Sequence, residues 1–362
     1  MSDVYSKRRE RVLQGMREAG ISQLIVTDPL SIDYLSGVYI QPYERLLALI
    51  LYEDREALFI FNRLFNPQKH PLRELWISDT DDAAASLAGQ LIPSGKLGID
   101  KEMTARYLIP ALERLPEIQP VLASRLVDDV RAVKDADEIE KMRRSSQIND
   151  EVILSASRHA KVGMTERELR DFILAEYTRC GAEGPSFDTI VSFGANAADP
   201  HHEVDDSVLR EGDVCLIDMG CIWKGYCSDM TRSFFCGFAT KEQKKVYEIV
   251  REANEIAESM AAPGVALRDL DAAARQHIEK AGYGEYFTHR LGHFIGRSEH
   301  EAGDVSATSD IIAKPGMIFS IEPGIYLPDH FGVRIEDLIL ITEDGSEVLN
   351  KVSKDLTILN RA

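Results

Sequence analysis

The sequence predicts an α/β protein in two parts: a small N-terminal α/β domain over residues 1–130, then an α+β domain over residues 131–362. Three observations predict it. Helical and strand-like segments alternate through residues 1–125, the pattern of a small layered unit. A charged stretch, "LVDDVRAVKDADEIEKMRRSS", then leads into a helix from about Asp137, which puts the boundary near residue 130. Beyond that point the chain repeats itself, so the second domain is built from two related halves.

The N-terminal part opens on an amphipathic segment, residues 5–20. The apolar runs "QLIVTD", "LLALILY" and "ALFIFN" read as strands, "DDAAASLAGQLI" as a helix and "KLGID" as a further strand. In the second part, "VGMTEREL" (162–169) matches "PGVALRDL" (263–270) at an offset of 101. Each opens a helix that ends near a glycine, Gly181 and Gly282. "EGDVCLIDMG" (211–220) matches "KPGMIFSIEPG" (314–324), with Gly212, Asp218 and Gly220 falling on Gly316, Glu322 and Gly324 at an offset of 104. Each half therefore runs helix, helix, strand, hairpin and places one acid at the same point. A second acid follows in each, Asp229 and Glu336. Thr165 with Glu168, and Thr240 with Gln243, have capping-box spacing. Val246, Ile249, Val250, Ala253, Ile256, Ala257 and Met260 form a 3.6-period stripe, read as core.

Of 362 residues, 44% are hydrophobic and 28% charged, the make-up of a soluble globular chain with ample core. The 42 basic against 60 acidic side chains leave a net charge of −18, which argues against nucleic acid and anionic membranes as partners. The N-terminus shows no apolar signal region, and "LLALILY" is too short to span a bilayer. Cys180, Cys215, Cys221, Cys227 and Cys236 make an odd count without CxxC spacing, which suits a reducing cytoplasm. Cys221 and Cys227 are placed to face each other across a hairpin, although small buried hydrophobes is the plainer reading.

The stretch "IDMGCIWKGYCSDMTRSFF" reads as an apolar hairpin holding two acids. With its turn on Trp223–Lys224, Asp218 and Asp229 stand directly opposite, with Cβ atoms about 4.5–5.5 Å apart. Carboxylates so placed repel, and burial worsens the conflict. A divalent cation resolves it. Glu322 and Glu336 repeat the arrangement around "LPDHF". Four inward acids exceed what one ion needs, so two metals are inferred. Histidines gather in the same region: His201, His202, His289, His293, His300 and His330. His289 and His293 have the i, i+4 spacing of a helical zinc pair. Gly292 and Gly296 interrupt any such helix, so only one of the two is expected to be a ligand.

"DMGCIWKGYCSDMTRSF", "HRLGHFIGRSEHE", "IFSIEPGIY" and "GVRIED" together resemble the dinuclear metallopeptidases of the pita-bread fold. That family includes prolidase (Xaa-Pro dipeptidase), aminopeptidase P and methionine aminopeptidase. The resemblance runs from about residue 135 to the end. The preceding domain is similar to the creatinase-like N-terminal domain of prolidase and aminopeptidase P. The resemblance implies that Asp218 holds one metal and that Asp229 and Glu336 bridge both. His293 and Glu322 complete the other site, His201 contacts the substrate, and His300 stabilises the tetrahedral intermediate. Arg334 matches an arginine of the outer shell or substrate site. The implied mechanism is hydrolysis by a metal-bridging hydroxide, with Glu322 as proton shuttle and His300 donating to the oxyanion. Oxygen-rich ligation with one imidazole points to Mn²⁺, with Co²⁺, Fe²⁺ or Zn²⁺ also compatible. A homodimer is implied by the resemblance alone.

The substrate implied is a small Xaa-Pro peptide, first of all a dipeptide. Proline's tertiary amide sets such bonds apart, and a dipeptidase must read a nearby carboxylate. The arginine fork does so best, and Arg297 is the first candidate, Arg334 the second. A surface role fits Arg297 equally well. The chain departs from the usual family pattern at Phe294, Leu291 and Gly303, and in the loop "QPYER" at Gln41 and Tyr43. Phe294 either narrows the site or packs in the core. Three other readings compete. They are aminopeptidase P, a metal-free creatinase-like C–N hydrolase, and a peptide-binding protein without catalysis.

Overall fold

The computed structural model describes residues 3–359. They divide into two compact units, with the division between Arg131 and Ala132.

The first unit is a six-stranded sheet with helices. Its strand order is Arg73–Ile77, Leu58–Asn62, Ala48–Tyr52, Gln23–Val26, Ser94–Ile99, Glu117–Leu122. Ala48–Tyr52 runs antiparallel to both neighbours, and the other pairings are parallel. The three aliphatic runs of the sequence form adjacent central strands, buried at every position. A run without polar alternation is what a strand covered on both faces requires. Here two separate apolar clusters supply that cover, one gathered on Leu24, Leu49 and Phe59, the other on Ile25, Ile50 and Ile60.

The second unit shows the repeat in its backbone. The helices Glu166–Arg179 and Leu267–Lys280 have equal length and lie at the sequence offset. Gly181 and Gly282 follow them with φ of 81° and 89°. Thr165 and Thr240 both close capping boxes, whereas Ala266 caps its helix without a side-chain bond. In the predicted stripe Val246, Ile249, Val250, Ala253 and Ala257 are buried. Met260, the last residue of helix Lys241–Met260, is exposed.

Each half contributes one larger and one smaller sheet, and the larger ones carry the acids. In the first, Met230–Cys236 pairs antiparallel with Val214–Met219, which pairs with Ile190–Phe193. In the second, Ile318–Ile321 pairs antiparallel with both Gly292–Phe294 and Asp337–Ile341. The first hairpin corrects the sequence expectation. Trp223 pairs with Tyr226, so the turn is Lys224–Gly225, one residue later than expected. Lys224 and Gly225 take φ of 49° and 72°, the double positive φ of the tightest hairpin turn. Asp218 therefore faces Thr231 rather than Asp229. Cys221 accepts from the backbone of Ser228, so it does not face Cys227 either. All five cysteines are free thiols. In the second hairpin Ile321 pairs with Asp337 and Gly324 with Arg334. That register sets Glu322 across from Glu336, as the sequence predicts. No helix among the described residues is long and apolar enough to cross a membrane.

Candidate metal centre

Asp218 is the last but one residue of the strand Val214–Met219, Asp229 lies in the break before Met230–Cys236, and Glu336 directly precedes Asp337–Ile341. His293 sits inside the short strand Gly292–Phe294, and Glu322 directly follows Ile318–Ile321. All five line one cleft of about 1080 Å³, together with His201, His289, His300, Arg290 and Arg334. One ligand-type atom each from Asp229, His293 and Glu336 lies within 4.8 Å of the others. The Nε2 of His293 is 3.6 Å from Asp229 Oδ2 and 3.4 Å from Glu322 Oε1. The expected pairing of Asp218 with Asp229 across one hairpin is thus replaced by convergence from separate strands.

The electrostatics are those of anions crowded out of water. Burial, then Glu336 and Asp218, raises the Asp229 carboxyl well above its ordinary range. Burial, then Glu322 and Asp218, does the same to Glu336. Loss of water pushes Glu322 up to about 7, against the opposing charge of Arg334. Asp218 Oδ1, Asp229 Oδ1 and Glu336 Oε1 are buried and accept no hydrogen bond among the described residues. Buried carboxylate oxygens without donors are costly and suit cation ligation. The residues present therefore fit divalent ions.

The surrounding groups orient the set. His293 is held by its ring Nδ1, which donates to the Phe294 carbonyl at 3.2 Å, leaving Nε2 toward the acids. Burial, then His300, lowers its pKa to about 3, so the ring is neutral as a ligand must be. The Ser320 hydroxyl donates to Glu322 Oε1 at 3.1 Å, and Thr231 donates to Glu336 Oε2 at 2.7 Å. Arg334 is anchored in three directions. It donates to Asp218 Oδ2 at 2.6 Å, to Tyr326 Oη at 2.8 Å and to Thr231 Oγ1 at 3.0 Å.

The i, i+4 pair separates as the interrupting glycines imply. His289 turns away from the acids: Nδ1 donates to the Arg290 carbonyl at 2.7 Å, and Nε2 accepts from Tyr326 at 2.9 Å. Burial lowers its pKa to about 4 and raises that of Tyr326 to about 12, which fixes this direction of donation. The ring of His300 stands 4.0 Å from that of His293, edge to face, and His201 is exposed at the cleft.

Arg297 departs from its expected place. It does not line the cleft, and its guanidinium lies 5.5 Å from the Tyr226 ring, beside the Gly225 turn. Its loop is tied down by Glu301, which accepts from the Arg297 backbone at 3.0 Å and from the buried Lys134 ammonium at 3.1 Å. Two arginines that sequence reasoning missed, Arg170 and Arg290, line the cleft, and Arg290 pairs with Asp304. Thr231 was also missed. A Lys-Gly turn would have signalled it, because that turn makes Thr231 the partner of Asp218.

Two departures from the family pattern explain each other. Phe294 is fully buried against Phe319, so it belongs to the core. A Cβ on Gly303 would lie 2.5 Å from the Phe294 ring, and Gly303 has φ of 124°. Gly303→Ala is expected to cost about 2–4 kcal/mol from overlap and backbone strain together. Phe294→Leu in that background should recover part of it. Urea unfolding checks this, and a loss under about 0.5 kcal/mol would remove the coupling.

Comparison with known proteins gives matches along both units. Residues 140–343 match the model of Metallopeptidase family M24, and residues 8–133 match the Creatinase/Prolidase N-terminal domain. An uncharacterized peptidase of Staphylococcus aureus (strain MW2) is 36% identical over 341 residues, covering 91% of this chain and 94% of its own. The crystal structure of a dipeptidase from Pyrococcus horikoshii OT3 superposes with a TM-score of 0.91 at 34% identity, over 97% of this chain and 100% of that one. A Xaa-Pro dipeptidase from Bacillus anthracis gives 0.89 at 32% identity, over 98% and 100%.

Proposed function

Because this chain belongs to metallopeptidase family M24, we propose that it hydrolyses Xaa-Pro dipeptides with two divalent ions. One observation carries the reading. Asp218, Asp229, His293, Glu322 and Glu336 line one cleft, and three of their carboxylate oxygens are buried without donors. The same observation speaks against a metal-free hydrolase or a purely binding protein. The dipeptidases of similar structure support the substrate.

Four carboxylates and one imidazole would hold two ions of the Mn²⁺ type, with Co²⁺, Fe²⁺ or Zn²⁺ as substitutes. When bound, such ions polarise a carbonyl and acidify water. The chain's own residues do the rest. Glu322, steadied by Ser320, carries a proton to the leaving amine. His300, edge-on to His293, donates to the oxygen that gains charge. His201 contacts the peptide from the cleft's lip. Arg334 compensates Asp218 instead of reading the substrate's carboxylate.

A second reading is aminopeptidase P action on longer peptides. It is favoured by a cleft of about 1080 Å³, larger than most small-molecule sites of about 300–1,000 Å³. It is also favoured by the absence of Arg297 from the cleft lining. The five free thiols support a reducing, cytoplasmic setting, and a homodimer is part of the same proposal, testable by sedimentation.

Chelation should abolish hydrolysis of Ala-Pro, and Mn²⁺ or Co²⁺ should restore it, with Ala-Pro-Ala cleaved more slowly. Faster cleavage of the tripeptide would install the second reading. Full turnover in a preparation shown to be metal-free would exclude both.

A further inference from the structure

A second cluster of ligand-type side chains, Glu166, His202 and Asp205, lies beside the cleft, whose lining includes His202. Its chemistry differs from that of the acid-rich set. Glu166 is fully buried at the start of helix Glu166–Arg179. Its Oε1 accepts from the Phe193 backbone at 2.8 Å and from Asn196 Nδ2 at 3.0 Å. Its Oε2 accepts from His202 Nε2 at 2.7 Å and from the Asp205 backbone at 3.2 Å. Four donors occupy the four lone-pair directions of a carboxylate, so nothing remains for a cation.

The donors share a location. Phe193 ends the strand Ile190–Phe193, Asn196 belongs to the helical turn Gly194–Ala198, and His202 and Asp205 lie in the loop beyond. His201 sits in that loop, exposed at the cleft. Its backbone N–H donates to Asp199 Oδ1 at 2.9 Å, and no described residue hydrogen-bonds its imidazole. An exposed imidazole without such a partner takes its direction from its backbone. That backbone is fastened on both sides to one buried carboxylate.

We infer that Glu166 is a positioning residue for His201, holding the loop through His202 and Asp205 so that His201 meets the peptide. The inference rests on the substrate-contacting role proposed for His201. It separates Glu166 from metal binding and ties it to substrate alignment. Such alignment matters because small misplacements of a positioned group are costly to rate.

The test is a double-mutant cycle in the metal-loaded enzyme, on a peptide that the parent cleaves. Glu166→Gln, which places an amide before N–H donors, should lower kcat/KM by about 10–100-fold. His201→Ala should lower it by about 100-fold or more. The double variant should be no worse than His201→Ala alone. His202→Gln, which keeps a donor for Glu166, should retain more activity than His202→Ala. In metal-free protein, Glu166→Gln should speed amide hydrogen exchange in residues 193–207 and leave the helix Lys241–Met260 unchanged. Metal content of the loaded protein should be unaffected. Fully multiplicative losses in the double variant would overturn the inference, as would a rate loss that only tracks loss of folded protein. A parent that cleaves no Xaa-Pro peptide sinks the functional reading instead, and unchanged exchange in residues 193–207 would still refute the anchoring.

Discussion

Asp229→Asn is expected to inactivate the enzyme and, in the metal-free state, to stabilise the fold. The two effects have opposite signs for one reason. Loss of water, then the neighbouring Glu336, Asp218 and Glu322, raises the pKa of buried Asp229 well above the ordinary value. Without a cation its charge is a cost. Replacing it by the neutral amide of equal shape should stabilise metal-free protein by roughly 1–3 kcal/mol at neutral pH, the scale of an uncompensated buried polar group. With cations held as proposed, the same replacement would remove one of their ligands. The loss of kcat/KM should then exceed the roughly 10–100-fold typical of outer-shell changes. The pH dependence follows from linkage. A carboxyl whose folded pKa is raised costs stability from its unfolded pKa upward, in full above the folded pKa, and the cost is gone once pH falls below both. The advantage of Asp229→Asn should therefore be absent near the ordinary aspartate pKa and grow as pH rises toward and through neutrality. Chemical unfolding of both chelated proteins across pH measures it. Equal stability at neutral pH, or greater loss in the variant, would mean that the acids do not crowd one another.

The second large effect is expected at Arg334. Its guanidinium is buried and spends its donors on Asp218, Tyr326 and Thr231. Arg334→Met should cost metal-free protein about 3–5 kcal/mol, because it strands Asp218 with no opposing charge. Adding Asp218→Asn should return most of that cost, since the amide no longer needs a cation beside it. Arg334→Lys should fall between, as one ammonium cannot serve three directions. A loss below about 1 kcal/mol, or additive losses in the double variant, would show that the pair is not coupled. Activity should fall as well, because Tyr326 links Arg334 to His289 at the cleft.

Much of this was legible in the chain itself. The repeat at 101 and 104 residues survives as equal helices and paired hairpins because each half solves the same packing problem. The in-register opposition of Glu322 and Glu336 could be read directly, since a hairpin's ladder counts residues from its turn. The count failed in the first hairpin because the turn was centred on the aromatic Trp223 rather than on Gly225. A one-residue change in turn position moves every partner, so Asp218 met Thr231 instead of Asp229.

Residue types and spacing determined that acids and histidines gather in this half of the chain, that crowding would demand cations, and which helices begin where. Other matters were decided only by tertiary structure. They are the turning of His289 onto Tyr326, the capture of Arg334 by Asp218, the absence of Arg297 from the cleft lining, and the fit of Phe294 over Gly303. Each depends on a contact between segments far apart in sequence, where direction and distance decide the interaction. A one-dimensional pattern records which groups are present and at what period, but not which way a side chain turns once another strand has closed over it.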